Sequence, residues 1–256
     1  MIHVLQLGRI DYATALELQR SLVELRKRGE IGDVLLLLEH TPVITLGRNA
    51  RAEHVLASRE QLAARGVEVF ECDRGGDVTY HGPGQLVGYP IFDLRGLATP
   101  EGPRKTLGAV EFVRRLEEVL IRSCADFGIA ARRVPGRTGV WTEQSDAKIA
   151  AIGVHISRGV TSHGFALNVS TDLDAFQLIV PCGISDKSVT SLGRELGNAP
   201  ALDKVAESAT RNFGAVFGSQ VLWVENLEAL LGGRTGVPMK PPAELRRMHE
   251  EEESWA

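Results

Sequence analysis

Between Gly139 and Val169 the chain contains three strand-like segments in succession, joined only by short turns. The segments span 139–142, 149–157 and 161–169, and the turns lie at 144–147 and at Arg158-Gly159. Connections this short join antiparallel neighbours, so the segments predict hairpins. Any fold for this chain must therefore contain antiparallel strands, which disfavours a doubly wound parallel sheet.

The remaining periodicities complete an α+β pattern. Alternating or continuous apolar runs predict strands at 3–7, 34–38, 43–46, 67–70 and 89–94. Apolar spacing of three or four predicts helices at 11–28, 53–64, 106–127 and 202–217. Asp11 is the expected N-cap of the first helix. In the third, Val110 and Phe127 are expected on the buried face and Glu117 on the exposed face. We expect an α+β fold, with one mixed, antiparallel-rich sheet and helices packed on one of its faces.

Composition excludes several function classes. The 256 residues carry a net charge of -4 and 43% hydrophobic residues, so neither a nucleic-acid partner nor disorder is indicated. No apolar run approaches the roughly 20 residues that span a bilayer, and the start lacks a signal-peptide pattern. We expect a cytoplasmic protein with one domain over 1–218. A C-terminal extension, 219–256, ends in an acidic run expected to be solvated and disordered.

Three cysteines, without a Cys-x-x-Cys pair, indicate neither a disulfide framework nor a metal site. Cys182 lies between Pro181 and Gly183, where a substrate could approach the main chain closely, so it is a candidate nucleophile. The alternative is a buried structural cysteine. That interpretation suits Cys124, on a core helix face, and Cys72, at a strand end.

A reactive thiol needs a nearby cation, helix N-terminus or base, because its ordinary pKa of about 8.5 leaves it mostly protonated at neutral pH. His81 and Lys148 are both candidate partners, and spacing does not decide between them. The glycine-rich stretch 74–85 has the character of a loop that wraps a ligand, or of hairpin turns. Neither a Walker motif nor a dinucleotide-binding glycine pattern is present in the sequence.

Several motifs in order carry a family resemblance. They are Leu38-Glu39-His40-Thr41-Pro42-Val43-Ile44-Thr45-Leu46-Gly47-Arg48, Arg74-Gly75-Gly76-Asp77-Val78-Thr79-Tyr80-His81-Gly82-Pro83-Gly84-Gln85-Leu86, Lys148-Ile149-Ala150-Ala151-Ile152-Gly153-Val154, His163-Gly164-Phe165-Ala166-Leu167-Asn168, and Pro181-Cys182-Gly183-Ile184 with Val189-Thr190-Ser191-Leu192. From about His3 to Phe217 the chain resembles the lipoyl (octanoyl) transferases, a branch of the biotin and lipoate protein ligase superfamily.

This resemblance implies a mechanism and its residues. Cys182 would carry an octanoyl group as a thioester, and Lys148 would lower its pKa. The residues implied to bind the acyl group are Arg74, Gly75, Gly76, Asp77, Val78, Thr79, Tyr80, His81, Ala151, Ile152, Gly153, Gly164, Phe165 and Ala166. His81 could orient the acyl carbonyl or aid proton transfer.

The resemblance also implies the substrates. The enzyme would be an acyltransferase that needs no cofactor and no metal. Octanoyl-acyl carrier protein would be the donor, and lipoyl domains of 2-oxoacid dehydrogenase E2 subunits and the glycine cleavage H protein would be the acceptors. We expect a monomer without a membrane partner. Arg132, Arg133 and Arg137 are candidates for a carrier-protein patch, with ordinary solvation as the alternative.

Three other functions compete with this interpretation. An ATP-dependent lipoate or biotin ligase would share the fold but needs no cysteine nucleophile. A cysteine hydrolase using Cys182 and His81 would release free acid to water. A non-catalytic acyl-binding module would form no covalent adduct.

Overall fold

The computed structural model describes residues 1–97, 106–180 and 188–232. The strands are β1 (Ile2–Ile10), β2 (Asp33–His40), β3 (Val43–Leu46), β4 (Glu68–Glu71), β5 (Val78–His81), β6 (Gln85–Ile91), β7 (Ala131–Val134), β8 (Arg137–Thr142), β9 (Lys148–Ser157), β10 (Val160–Asn168) and β11 (Val221–Trp223). The α-helices are α1 (Tyr12–Lys27), α2 (Arg59–Ala64), α3 (Ala109–Ala125), α4 (Leu192–Leu196), α5 (Leu202–Phe217) and α6 (Leu227–Leu230).

Eight strands form one mixed sheet in the order β11-β1-β2-β6-β10-β9-β8-β7. Strand β1 runs parallel to both of its neighbours, and the other pairs are antiparallel. The predicted hairpins β8–β9 and β9–β10 are confirmed, with Ile152 opposite Phe165 in the second. The expected mixed, antiparallel-rich α+β architecture is therefore the observed one.

Helices cover both faces of this sheet, whereas the sequence analysis placed them on one. Leu36 and Leu38 of β2 pack under α1, while Leu35 and Leu37 belong to the core beneath α3 and α5. All four side chains are at most 2% exposed. A strand with aliphatic side chains on both faces has no polar face that could be solvated, so a helix layer must cover each face.

A second sheet of three strands, in the order β4-β3-β5, lies outside the expected single sheet. Strand β3 pairs with β4 in parallel and with β5 antiparallel. Ile44 and Val78 from this sheet share a separate small core with Phe176. The small sheet matters for the site because β5 lies within the glycine-rich stretch 74–85.

Two helices differ in detail from their prediction. The helix expected at 53–64 is divided into a 3-10 turn, Ala52–His54, and α2, which Ser58 caps. On α3, Val110 is 75% exposed and Glu117 is fully buried, the reverse of the expectation. Glu117 is buried because it bonds Arg114, Arg133 and the Gly139 backbone N–H.

The C-terminal extension begins with a contribution to the main sheet. Strand β11 pairs in parallel with β1 at the edge of the sheet, with Ile2 opposite Val221. The division at 218 remains a prediction, and the acidic end lies outside the described residues. Among the described residues, no helix has the length and apolar character to cross a membrane.

Candidate active site

A cavity of about 460 Å³, counting its open mouth, lies between the glycine-rich stretch and the adjoining strands β6, β9 and β10. It is lined by Tyr12, Arg74, Gly75, Gly76, Thr79, His81, Tyr89, Ala151, Ile152, Gly153, His163, Gly164, Phe165 and Ala166. All predicted acyl-binding residues line it except Asp77, Val78 and Tyr80. Apolar walls with a few polar groups are typical of ligand pockets.

Strand alternation explains two of these three exceptions. Successive side chains on a strand point to opposite faces, so Thr79 and His81 face the cavity while Val78 and Tyr80 pack in the small core. Asp77 instead accepts a hydrogen bond from the Val78 N–H at 2.8 Å and contacts His54 Nδ1 at 2.5 Å. These contacts hold Asp77, and with it this part of the glycine-rich stretch, in place.

Three lining residues, Tyr12, Tyr89 and His163, were not predicted from the sequence. Tyr12 begins α1 and stacks parallel to the His81 ring, with centroids 6.5 Å apart. The Tyr89 hydroxyl bonds His40 Nε2 at 2.6 Å. His163 precedes the predicted Gly164 directly, and its polar character within an apolar strand was the available signal.

Glycines make the cavity a narrow slot between backbones. A Cβ on Gly153 would lie 2.6 Å from the Gly75 carbonyl oxygen, and a Cβ on Gly164 would lie 2.1 Å from the Gly88 carbonyl oxygen. Either contact is too short for any side chain. The Gly75 N–H also donates to the Val154 carbonyl at 3.0 Å, which joins the loop to β9.

Arg74 holds the glycine-rich stretch to β3. Its guanidinium donates to the Thr45 carbonyl at 2.6 Å and to the Thr45 hydroxyl at 2.9 and 3.1 Å. The residue is 8% exposed. A buried guanidinium with several fixed acceptors is a rigid part of a pocket wall.

His81 lines the cavity as a neutral imidazole, and its Nε2 contacts the Thr45 hydroxyl at 3.5 Å. Its Nδ1 contacts Gln85 Oε1 at 2.7 Å, and Gln85 Nε2 donates to Asn168 Oδ1 at 2.9 Å. Because Gln85 uses its amide NH₂ on Asn168, Nδ1 of His81 carries the proton and Nε2 the lone pair. Burial lowers the pKa of His81 to about 3. In this tautomer His81 does not donate to an acyl carbonyl, and it is a weak base.

The same hydrogen-bonded chain reaches the backbone of Lys148. Asn168 Nδ2 donates to the Thr190 carbonyl at 2.9 Å, and the Thr190 N–H donates to the Lys148 carbonyl at 2.9 Å. The Lys148 N–H donates in turn to the Ser188 carbonyl at 2.9 Å. Buried polar groups therefore connect the cavity to the first residue of β9.

Lys148 is a largely buried cation at the start of β9. It is 8% exposed, and its Nζ lies 5.2 Å from the centre of the Trp141 ring, a cation–π distance. Gly139 faces it, where a Cβ would lie 2.8 Å from Lys148 Cε. An ammonium so placed is held by an aromatic face with little water around it.

Cys182 lies outside the described residues, so its predicted proximity to Lys148 remains a prediction. The described flanks are anchored: the Val180 N–H donates to the His54 carbonyl at 2.8 Å, and Ser188 bonds Lys148. The other two cysteines are described. Burial raises the pKa of Cys124 to about 12, and the Cys72 thiol donates to the Leu46 carbonyl at 3.4 Å.

The candidate carrier-protein arginines are engaged within the chain. Arg132 bonds Asp146 at 2.6 Å, and Arg133 bonds Glu117 and Glu118 at 3.1 and 2.9 Å. Arg137 also takes part in an interaction. The geometry therefore favours intramolecular ion pairs over an open basic patch.

Comparison with known proteins assigns the family. The profile described as lipoyl protein ligase A/B catalytic domain matches residues 11–214. The chain belongs to this family. It is 63% identical over 253 residues to an octanoyltransferase of Koribacter versatilis, covering 98% of each chain. It is 65% identical over 237 residues to one of Acidobacterium capsulatum, covering 90% of this chain and 96% of the relative.

Solved structures agree on the fold. A bi-partite lipoate protein ligase of Thermoplasma acidophilum is 18% identical, with a TM-score of 0.67 over 91% of each chain. A lipoate-protein ligase A bound with ATP is 17% identical, with a TM-score of 0.68 over 91% of this chain and 94% of that one. Within the family, the chain is an acyltransferase of protein lipoylation, of the octanoyltransferase type. The first relative aligns over nearly the full length, so the resemblance extends into 219–256.

Proposed function

We propose that the protein takes an octanoyl group from octanoyl-acyl carrier protein, carries it as a thioester on Cys182, and transfers it to a lysine of a lipoyl domain. The observation that carries the proposal is the narrow apolar slot beside the strand that begins with Lys148. A straight acyl chain needs such a slot, and Ala151 and Gly164 line it without bulky side chains. High identity to octanoyltransferases supports the choice of acyl group.

The chemistry balances in two acyl transfers. The Cys182 thiolate attacks the donor thioester carbon, and the bond to the phosphopantetheine sulfur breaks. That sulfur leaves as a thiol with the proton of the Lys148 ammonium, so Lys148 becomes neutral. The acceptor amine then attacks the acyl-enzyme, and the Cys182 thiolate leaves. The attacking amine loses one proton, and Lys148 in its neutral form accepts it. Thioester exchange is nearly isoenergetic and amide formation is downhill, so no ATP is consumed.

Lys148 suits this role better than His81. A buried ammonium beside a thiolate has its charge balanced, and acylation of the sulfur removes that balance. Neutral Lys148 is then favoured when the amine arrives. His81 is neutral in the structure with a pKa lowered to about 3 by burial, so it takes a proton poorly.

The substrates and setting follow the same proposal. The acceptors are lipoyl domains of 2-oxoacid dehydrogenase E2 subunits and the glycine cleavage H protein, and the enzyme is a cytoplasmic monomer without metal or cofactor. Among the structural neighbours, the Thermoplasma ligase was described together with its E2 lipoyl domain. That pairing supports a lipoyl domain as the acceptor for this fold.

A transfer assay with two cysteine variants tests the proposal. Octanoylation of a purified lipoyl domain by octanoyl-acyl carrier protein should be lost in Cys182→Ala and retained in Cys72→Ala, the matched control. Activity with free octanoate and ATP that survives Cys182→Ala would replace the transferase with a ligase. Release of free octanoate without a lipoyl domain would indicate a hydrolase.

A further inference from the structure

His163 is held in a strained backbone conformation inside the cavity. Its φ is +56°, in the left-handed region that non-glycine residues seldom adopt within a strand. The side chain is 2% exposed. Such outliers persist where the surroundings impose them, and they cluster at functional sites.

Two side chains fix His163 in place. Its backbone N–H donates to Gln19 Oε1 at 2.7 Å, and its Nε2 bonds Asp73 Oδ1 at 2.7 Å. The bond from His163 holds the pKa of Asp73 well below its usual range, so Asp73 remains a carboxylate. The ring meets Tyr89 edge-on, with centroids 6.3 Å apart. The imidazole therefore forms a rigid part of the wall.

The sheet register puts His163 at the end of the slot away from Lys148. His163 lies opposite Val154, six residues along β9 from Lys148. At the same level, the Gly75 N–H bonds the Val154 carbonyl, so the loop meets the strand there. The lining residues of β9 begin at Ala151, between these two levels.

The length of this stretch matches an eight-carbon chain. From Ala151 to Val154, three residues of strand span roughly 10 Å. An extended octanoyl chain with ordinary staggered single bonds is about 9 Å long from carbonyl to methyl. A chain whose carbonyl lies near Ala151 would thus end against His163.

We propose that His163, clamped by Asp73 and Gln19, closes the far end of the acyl slot and sets the longest acyl chain that the enzyme accepts. The inference rests on the proposed function for the direction in which the chain enters. It assigns Asp73 and Gln19 as positioning residues that act through the imidazole.

Acyl-chain competition tests this assignment. Octanoyl, decanoyl and dodecanoyl carrier proteins are offered to the wild type and to His163→Gly, which accepts the positive φ and vacates the ring. The ratio of kcat/KM for dodecanoyl to that for octanoyl should rise by roughly tenfold, because extra methylenes find buried space. His163→Asn, which tolerates the same backbone conformation, should show a smaller rise.

The matched control is His155→Ala. His155 contacts the same carboxylate, at 3.5 Å, but does not line the cavity, so its chain-length ratio should equal that of the wild type. An unchanged ratio in both folded His163 variants, checked by thermal melting, would overturn the proposal. Failure of the proposed function gives a different result. In that case Cys182→Ala would still transfer octanoyl, whatever the dodecanoyl-to-octanoyl ratio of the His163 variants.

Discussion

At the residue scale, the site depends on a buried polar chain that runs from His81 through Gln85 and Asn168 to Thr190. Its members are at most 7% exposed, and its side-chain bonds are 2.7 to 2.9 Å long. Buried polar groups that lose a partner are costly. The sequence motifs contain these residues, but their contacts join positions up to 83 residues apart, which no local pattern reveals.

Asn168→Ala should therefore weaken both stability and catalysis. It removes the acceptor of one Gln85 N–H and the donor to the Thr190 carbonyl, at a cost of about 1–3 kcal/mol. Urea unfolding measures that cost, and transfer kinetics should show a fall in kcat. The matched control is Asn212→Ala. Asn212 is also a buried asparagine, and it donates to Asp126 at 3.0 Å, a residue distant in sequence. Equal kcat values in the two variants would show that Asn168 does not position the active site.

Lys148→Arg separates the charge of the cation from its ability to lose a proton. Arginine keeps the charge that stabilises a thiolate but stays protonated. We expect acylation by the donor to persist while transfer to the lipoyl domain slows at least tenfold, since roughly that factor or more is typical of general-base catalysis. A pre-steady-state pH profile of the second step measures this. A profile identical to that of the wild type would exclude Lys148 as the proton acceptor.

At the element scale, Glu117 ties α3 to the β7–β8 hairpin. The carboxylate is fully buried and bonds Arg114 at 2.6 Å, Arg133 at 3.1 Å and the Gly139 N–H at 3.2 Å. Gly139 is the residue that leaves room for Lys148. The helix pattern alone placed Glu117 on the exposed face, because periodicity does not reveal a tertiary ion pair.

Glu117→Gln should destabilise the protein by about 1.5–3 kcal/mol, as expected when a buried carboxylate loses its charge-assisted hydrogen bonds, although Arg114 and Arg133 can still be solvated. Glu118→Gln is the control, because Glu118 is a third exposed and bonds Arg122 and Arg133. Its cost should stay below about 1 kcal/mol. Chemical denaturation measures the free energy of unfolding of both variants. Similar losses in the two would contradict the role of Glu117 in joining α3 to the β7–β8 hairpin.

Local signals located some elements well and others poorly. The helix at 202–217 and the strand at 43–46 match the observed α5 and β3 to the residue. The apolar period and the terminal Gly218 mark the helix, and Pro42 precedes the strand. The strand β11 is only three residues long. Its place depends on pairing with β1, at the other end of the chain, so local sequence does not indicate it.

At the scale of the whole molecule, two buried histidines make the fold sensitive to acid. Burial lowers the pKa of His40 to about 4 and that of His81 to about 3, from an ordinary value of 6.5. Between about pH 6.5 and pH 4 the unfolded chain binds more protons than the folded one, so the free energy of unfolding falls as pH falls. His40 alone contributes about 3 kcal/mol to this fall.

Urea unfolding at about pH 7.5 and about pH 5 tests this expectation, with a lower midpoint predicted at the acid pH. Equal midpoints for the wild type would mean that the buried imidazoles are not neutral in the folded state.

The sequence motifs predicted most of the cavity lining, yet not how the lining is assembled. Ala151 and Gly164 come together because β9 and β10 form a hairpin, which turn signals predicted. Tyr12 and Tyr89 join them only because α1 and β6 pack beside the slot. That packing depends on two helix layers, whose arrangement is a property of the complete sheet.

The central claim is that the octanoyl group resides on Cys182 between donor and acceptor. The direct measurement is to incubate the enzyme with octanoyl-acyl carrier protein, quench in acid, and determine the intact mass and the modified peptide. We expect one octanoyl group on the Cys182 peptide, which moves to an added lipoyl domain and is absent in Cys182→Ala. An unmodified enzyme that still octanoylates the domain would contradict it.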